Sequence, residues 1–127
     1  MLNERRAHAT LPVADLDGAR AFYEGVLGFT PERILATAVL LRAGEGSFFA
    51  VTRSAGRTSG SHTQMAFTVL DIEAEVADLK GRGIVFEEYD TPGLKTEGSI
   101  AQTGPNRAAW FKDPEGNLLG LIEFAQS

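Results

Sequence analysis

Few side chains in this 127-residue chain are equipped for chemistry. Cysteine is absent, which excludes a thiolate nucleophile, a thiolate-bound metal and a redox dithiol. The two histidines are His8 and His62. His62 lies two residues before Gln64, so both would share a strand face if a strand began that early, although Ser59 to Thr63 (SGSHT) reads as a loop. His8, His62 and Gln64 without a carboxylate lack the charge that holds a divalent ion. No Ser/His/Asp set is present, and Gly44-Glu45-Gly46 is a hairpin turn too short to cradle a phosphate. Arg107 and Lys112 read as an anion clamp or as solvated strand cations. His8 reads as a polar pocket wall or as a ligand or acid/base contact.

The composition bounds what these residues can serve. With 12 basic against 17 acidic side chains the net charge is −5, and the arginines are scattered, which argues against nucleic acid as a partner. The length fits one domain with a real core, over 1–127, and needs neither disulfides nor structural zinc. The N-terminus has no apolar signal region and no run approaches the ~20 apolar residues of a membrane span, so a cytoplasmic location and no membrane partner are expected.

An offset of 56 residues aligns Leu11 and Val13 with Phe67 and Val69, Asp15 with Asp71, and Leu16 with Ile72. The expectation is an internal repeat over 7–53 and 63–124, each half a strand, a helix and further strands. In the first half, HATLPV alternates as a strand and Asp15 caps a helix. Ala19, Phe22, Tyr23, Val26 and Leu27 form that helix's apolar stripe, and Gly28 ends it. In the second half the strand is QMAFTV, the cap Asp71, the stripe Ile72, Val76 and Leu79, and the stop Gly81 or Gly83. Strands are expected at 30–36, 37–42, 47–53, 84–89, 107–112 and 117–124, the last two joined by Asp113-Pro114-Glu115-Gly116. The stretch from Thr91 to Trp110 reads as a long loop, either a lid with Lys95 and Glu97 at its rim or a surface or dimer wrap.

Period-2 alternation sends Leu11, Val13, Phe67 and Val69 toward the helices and puts His8, Thr10, Gln64 and Ala66 on the opposite face. Trp110 and Phe111 must point to opposite sides, and alternation alone leaves open which one faces away from the core.

The strings HATLPVADLDGARAFYEGVLGF and AAWFKDPEGNLLGLIEF resemble the vicinal oxygen chelate superfamily, which includes glyoxalase I, extradiol dioxygenases, fosfomycin-resistance transferases and bleomycin-binding proteins. The resemblance spans about Ala7 to Phe124. It implies an α+β fold, two βαβββ modules in tandem whose mostly antiparallel mixed sheet curves around a cavity, often in a homodimer. It also implies metal ligands on the first and last strands of each module. Those positions here are His8, Ala50, Gln64 and Gly120, so the carboxylates that would carry charge or act as a base are missing. Phe48 and Thr52 share a face with Ala50, and Leu118 and Ile122 with Gly120, which leaves an apolar cavity suited to an uncharged or aromatic ligand.

Three readings follow. The first is a metal-free binder of a small apolar or aromatic molecule, without cofactor, with His8, Thr10, Phe48, Ala50, Gln64, Trp110 and Gly120 as ligand contacts. The second is a glyoxalase-like lyase or isomerase, or a dioxygenase-related enzyme, using His8 with an unusual metal or none. The third is a protein-interaction module. The missing carboxylates favour the first.

Overall fold

Asp15 and Asp71 each accept a hydrogen bond from the backbone N–H three residues on, Gly18 at 3.0 Å and Ala74 at 3.2 Å, and a helix begins behind each. The first cap explains Gly18, because a Cβ there would lie 2.5 Å from Asp15 Oδ2. Helix α1 runs over Leu16–Arg20 and continues as a π-helical segment over Ala21–Val26. Leu27 N–H bonds to Phe22 O and Phe29 N–H to Tyr23 O, both at 3.0 Å, while Gly28 takes φ 83°. The wider π turn breaks the regular spacing of the expected stripe. Ala19 and Tyr23 are buried, whereas Phe22, Val26 and Leu27 are only half-buried.

The computed structural model describes residues 1–125, so the last two residues of the 1–127 domain reading lie outside it. It divides into two compact units, Met1–Thr58 and the chain from Ser59 onward. In the first unit β1 (Thr10–Val13), β2 (Thr30–Ile34), β3 (Ala38–Arg42) and β4 (Phe48–Arg53) form a sheet in the order β1-β4-β3-β2. The first strand pairs with the last in parallel, and the other pairs are antiparallel. Leu11, Val13, Val39, Leu41, Phe49 and Val51 are buried. Tyr23 and Phe29 set their rings edge-on to Phe49, at 5.7 and 5.1 Å between centroids.

The second unit repeats the plan and extends it. Its strands are β5 (Thr63–Thr68), β6 (Asp90–Thr91), β7 (Leu94–Glu97), β8 (Ile100–Thr103), β9 (Asn106–Lys112) and β10 (Leu118–Glu123), ordered β5-β10-β9-β8-β7-β6. Again the first and last strands pair in parallel, β5 with β10. Helix α2 (Ile72–Gly81) packs on β9 and β10, burying Ile72 and Val76 with Ala109, Phe111, Leu119 and Leu121. Phe67 and Val69 are half-buried rather than core, because β5 is the terminal strand of its sheet.

Two expectations are corrected in this unit. Residues 84–89 form no strand; they touch the sheet through a bridge between Phe86 and Phe111 and a 2.8 Å bond from Glu87 N–H to Trp110 O. Ile84 and Phe86 turn inward, but Val85 is 81% exposed. The strand beside β9 is instead β8, which comes from the stretch expected to be a long loop. Residues 91–109 are largely a meander of short strands joined by two-residue turns at Pro92-Gly93, Gly98-Ser99 and Gly104-Pro105. Gly93, Gly98, Ser99 and Gly104 all take positive φ, as tight hairpins require. The strands between these turns, such as Lys-Thr-Glu and Ala-Gln-Thr, carry too few apolar residues to announce themselves.

The β9–β10 turn is held by Asp113, which is buried with Asn117. Asp113 accepts from Glu115 N–H at 2.9 Å, Asn117 N–H at 2.9 Å and Asn117 Nδ2 at 2.8 Å. At the far end of β10, Glu123 accepts from Ile72 N–H at 3.0 Å and from Arg107 at 2.9 Å, tying the start of α2 to the sheet. Among the described residues no helix is long and apolar enough to cross a membrane.

Two predictions follow from these bonds. Replacing Asp113 with Ala leaves buried donors unmade and should lower unfolding stability by roughly 2–3 kcal/mol in denaturant titration. The Glu123 carboxyl is held below its ordinary pKa, first by the Ile72 N–H and then by Arg107. Its folded pKa is therefore lower than the unfolded value of about 4.3, so its ionisation contributes stability above that value that is lost as the pH falls through the folded value. Glu123→Gln should be less stable than the parent at neutral pH and lose less stability on acidification, measured as Tm against pH.

Candidate functional site

Each sheet has one face against its helix and a second face that the helix does not cover. In the first unit the register places Thr10 opposite Ala50 on one side and Leu40 opposite Ala50 on the other. Phe48 and Thr52 share this open face with Ala50 by alternation. His8 precedes β1 rather than lying in it, because the strand starts at Thr10. Its exposed ring nevertheless lies against Phe48, 5.5 Å between centroids and tilted by 31°. Four expected site residues, His8, Thr10, Phe48 and Ala50, are thus gathered in this unit. Sequence reading missed a fifth, Arg6, whose guanidinium sits 5.4 Å above the Phe48 ring. No short-range spacing links positions 6 and 48, so the pairing has no local signal.

In the second unit Ala66, Gly120 and Trp110 are in register across β5, β10 and β9. Trp110 is half-buried on the open face, whereas Phe111 is buried on the helix side with its ring 5.5 Å from Phe86. This resolves the choice that alternation left open. The indole Nε1 donates to Thr63 Oγ1 at 3.0 Å, and the Tyr89 ring meets the indole edge-on at 5.6 Å. Burial, with the Glu87 carboxylate adding to it, pushes the Tyr89 phenol up, so it stays a neutral donor and acceptor.

Gln64 is placed differently from the expectation of simple alternation. The pairs Thr63–Leu118 and Met65–Leu119 leave Gln64 as an extra residue, a bulge in β5. The bulge keeps Thr63 on the open face beside Trp110 and Gly120, a contact that strict period-2 counting misses.

Gly120, which the resemblance puts at a last-strand ligand position, has no side-chain donor and sits in a close-packed spot. A Cβ built on it lies 3.2 Å from Thr63 Cγ2 and 3.5 Å from the Trp110 indole. Ala50, its counterpart in the first unit, also offers no donor and is buried. Among the described residues no three His, Cys, Asp or Glu side chains gather within reach of one ion. His62 sits in an exposed loop with Nδ1 3.4 Å from Ser59 Oγ.

The remaining charged candidates are on other business. Arg107 is paired with Glu123 and, at 3.4 Å, with Glu73, and Lys112 lies 3.7 Å from Glu87. Neither is poised to clamp an anion. Lys95 and Glu97 rim no lid; with Glu73, Ile100, Gln102 and Arg107 they line a polar groove of about 560 Å³ within the second unit.

Two mixed sheets, each closed by a parallel first-to-last strand pair and covered by a capped helix, define a glyoxalase-type α+β fold. The family model for the Glyoxalase/Bleomycin resistance protein/Dioxygenase superfamily matches residues 5–121, and the chain belongs to that superfamily. Solved structures agree. A glyoxalase family protein from Enterococcus faecalis superposes with a TM-score of 0.72 at 23% identity, covering 97% of this chain and 100% of that one. A glyoxalase/bleomycin resistance protein/dioxygenase from Alicyclobacillus acidocaldarius gives 0.70 at 22% identity, covering 96% and 92%. The fosfomycin resistance protein FosX from Listeria monocytogenes gives 0.65 at 18% identity, covering 94% and 92%. At these identities the likeness is one of fold. No functionally curated protein matches the sequence.

The tight seat of Gly120 can be tested directly. Gly120→Glu should force Thr63 and the indole apart, cost roughly 1–3 kcal/mol in thermal or chemical unfolding, and shift the emission of Trp110, which is the chain's one tryptophan.

Proposed function

We propose that the protein binds small apolar or aromatic molecules on the open face of each sheet, taken by itself, without the aid of a metal ion. The observation that carries this reading is the replacement of ligand-bearing side chains by Ala50 and Gly120, each next to an aromatic ring, Phe48 or Trp110. Small residues on the ladder with aromatic neighbours make an apolar floor on which a flat molecule can lie. The residues at the four ligand positions that the resemblance implies do not fit a divalent ion: two have no donor atom, and a side chain at Gly120 would press on Thr63. Polar contacts would come from His8 and Thr10 in the first unit and from Gln64, Thr63 and Tyr89 in the second.

Lyase or isomerase chemistry through His8 stands behind this reading, since among the described residues His8 has no carboxylate partner and is seated on Phe48. Assembly as a homodimer belongs to the same proposal, supported by exposed Ile34 and Leu35 at the outer strand of the first sheet and Leu70 and Phe124 in the second unit. A cytoplasmic location suits a chain without cysteine.

Trp110 supplies the assay. A panel of neutral aromatic compounds titrated against its fluorescence should yield a saturating change. His8→Ala and Gln64→Ala should each weaken the best binder about fivefold or more, as loss of a pocket hydrogen bond of ~1 kcal/mol implies. Their unfolding temperatures without ligand should stay close to the parent's. Unchanged binding with a large loss of stability would make the two residues structural and remove the open faces as the site. For assembly, sedimentation at micromolar concentration should give twice the chain mass; a monomer contradicts the dimer.

A further inference from the structure

We propose that the open face of the first sheet selects an aromatic ligand carrying a negative charge, with Arg6 as the residue that receives the anionic group. The inference rests on the reading of that face as a ligand surface and adds the chemical class of what it takes. Arg6 comes from the segment ahead of β1, yet its guanidinium is held over Phe48 at 5.4 Å, and its NH1 reaches the Gly46 carbonyl at 3.5 Å. Phe48 belongs to the face that also carries Ala50, Thr10 and Leu40. The charge therefore stands at the edge of an apolar floor, on an exposed side chain.

Two of the acidic side chains in this unit are already matched, while Glu45, beside Gly46, is in no ion pair among the described residues. Glu4 is paired with the N-terminal amine at 3.0 Å, and Glu32 with Arg42, the residue opposite Phe48 on β3, at 2.6 Å. Among the described residues no carboxylate lies within ion-pair distance of Arg6, so its charge is uncompensated on this face. A guanidinium held over a ring keeps N–H donors, the fork that matches a carboxylate. His8, against the same ring at 5.5 Å, offers a second polar group beside it. An aryl carboxylate satisfies both demands of the surface: its ring lies on the floor and its charge meets Arg6.

The test compares 2-naphthoate with its neutral relative 2-naphthamide by titration calorimetry at low salt, using the parent, Arg6→Gln and Arg6→Lys. The parent should prefer 2-naphthoate about fivefold, the scale of an exposed ion pair of ~1 kcal/mol. The preference should shrink in high salt. Arg6→Gln should bring the two compounds level, and Arg6→Lys should restore part of the preference. Equal binding of both compounds by the parent, or a preference that survives Arg6→Gln, overturns the anion site while leaving an apolar binding face standing. Binding of neither compound, together with no response to any neutral aromatic, overturns the binding face and the anion site with it.

Discussion

The pairing of first strand with last, in parallel, is the constraint on which each unit depends. It brings together residues that are 40 or more positions apart, Thr10 with Ala50 and Ala66 with Gly120, and puts them side by side along one margin of each sheet. A parallel pair requires a crossover, and in both units the crossover begins with an Asp-capped helix that lies on one face only. The other face is then left uncovered by its own helix. Everything proposed about the site starts from that asymmetry.

Because the ladder positions are so constrained, the identity of a single residue there decides what the face can do. A side chain at the position of Gly120 would press on Thr63, which accepts the indole N–H at 3.0 Å. The open face of the second unit is therefore organised around Trp110, with Thr63 and Tyr89 as its supports. In the first unit Phe48 plays the matching part, flanked by His8 and Arg6. On the proposed reading, rings with polar neighbours would serve recognition of flat molecules.

The parts of this arrangement that are governed by neighbours in sequence were legible from the sequence. Asp15 and Asp71 cap helices because the partner N–H is always three residues on, and Leu11 and Val13 point to the core because alternation is local. What escaped depends on departures from a regular period or on distant contacts. The π turn after Arg20 changes the helical spacing, and the bulge at Gln64 brings Thr63 to the face that counting by twos denies it. Residues 91–109 look like a loop because their strands are polar, and only the glycine turns at Gly93, Gly98 and Gly104 hint at hairpins. Arg6 found Phe48 through the tertiary fold alone.

The central claim, that the open faces bind a small aromatic molecule without metal, is tested most directly by amide NMR shift mapping with an aromatic ligand in the presence of a chelator. The account predicts that shifts concentrate at Thr10, Phe48, Ala50, Thr63, Trp110 and Gly120, that Leu11, Val51 and Leu121 on the helix sides stay nearly still, and that the chelator changes nothing. Shifts gathered instead in the polar groove around Glu73 and Gln102, or binding abolished by the chelator, would contradict it.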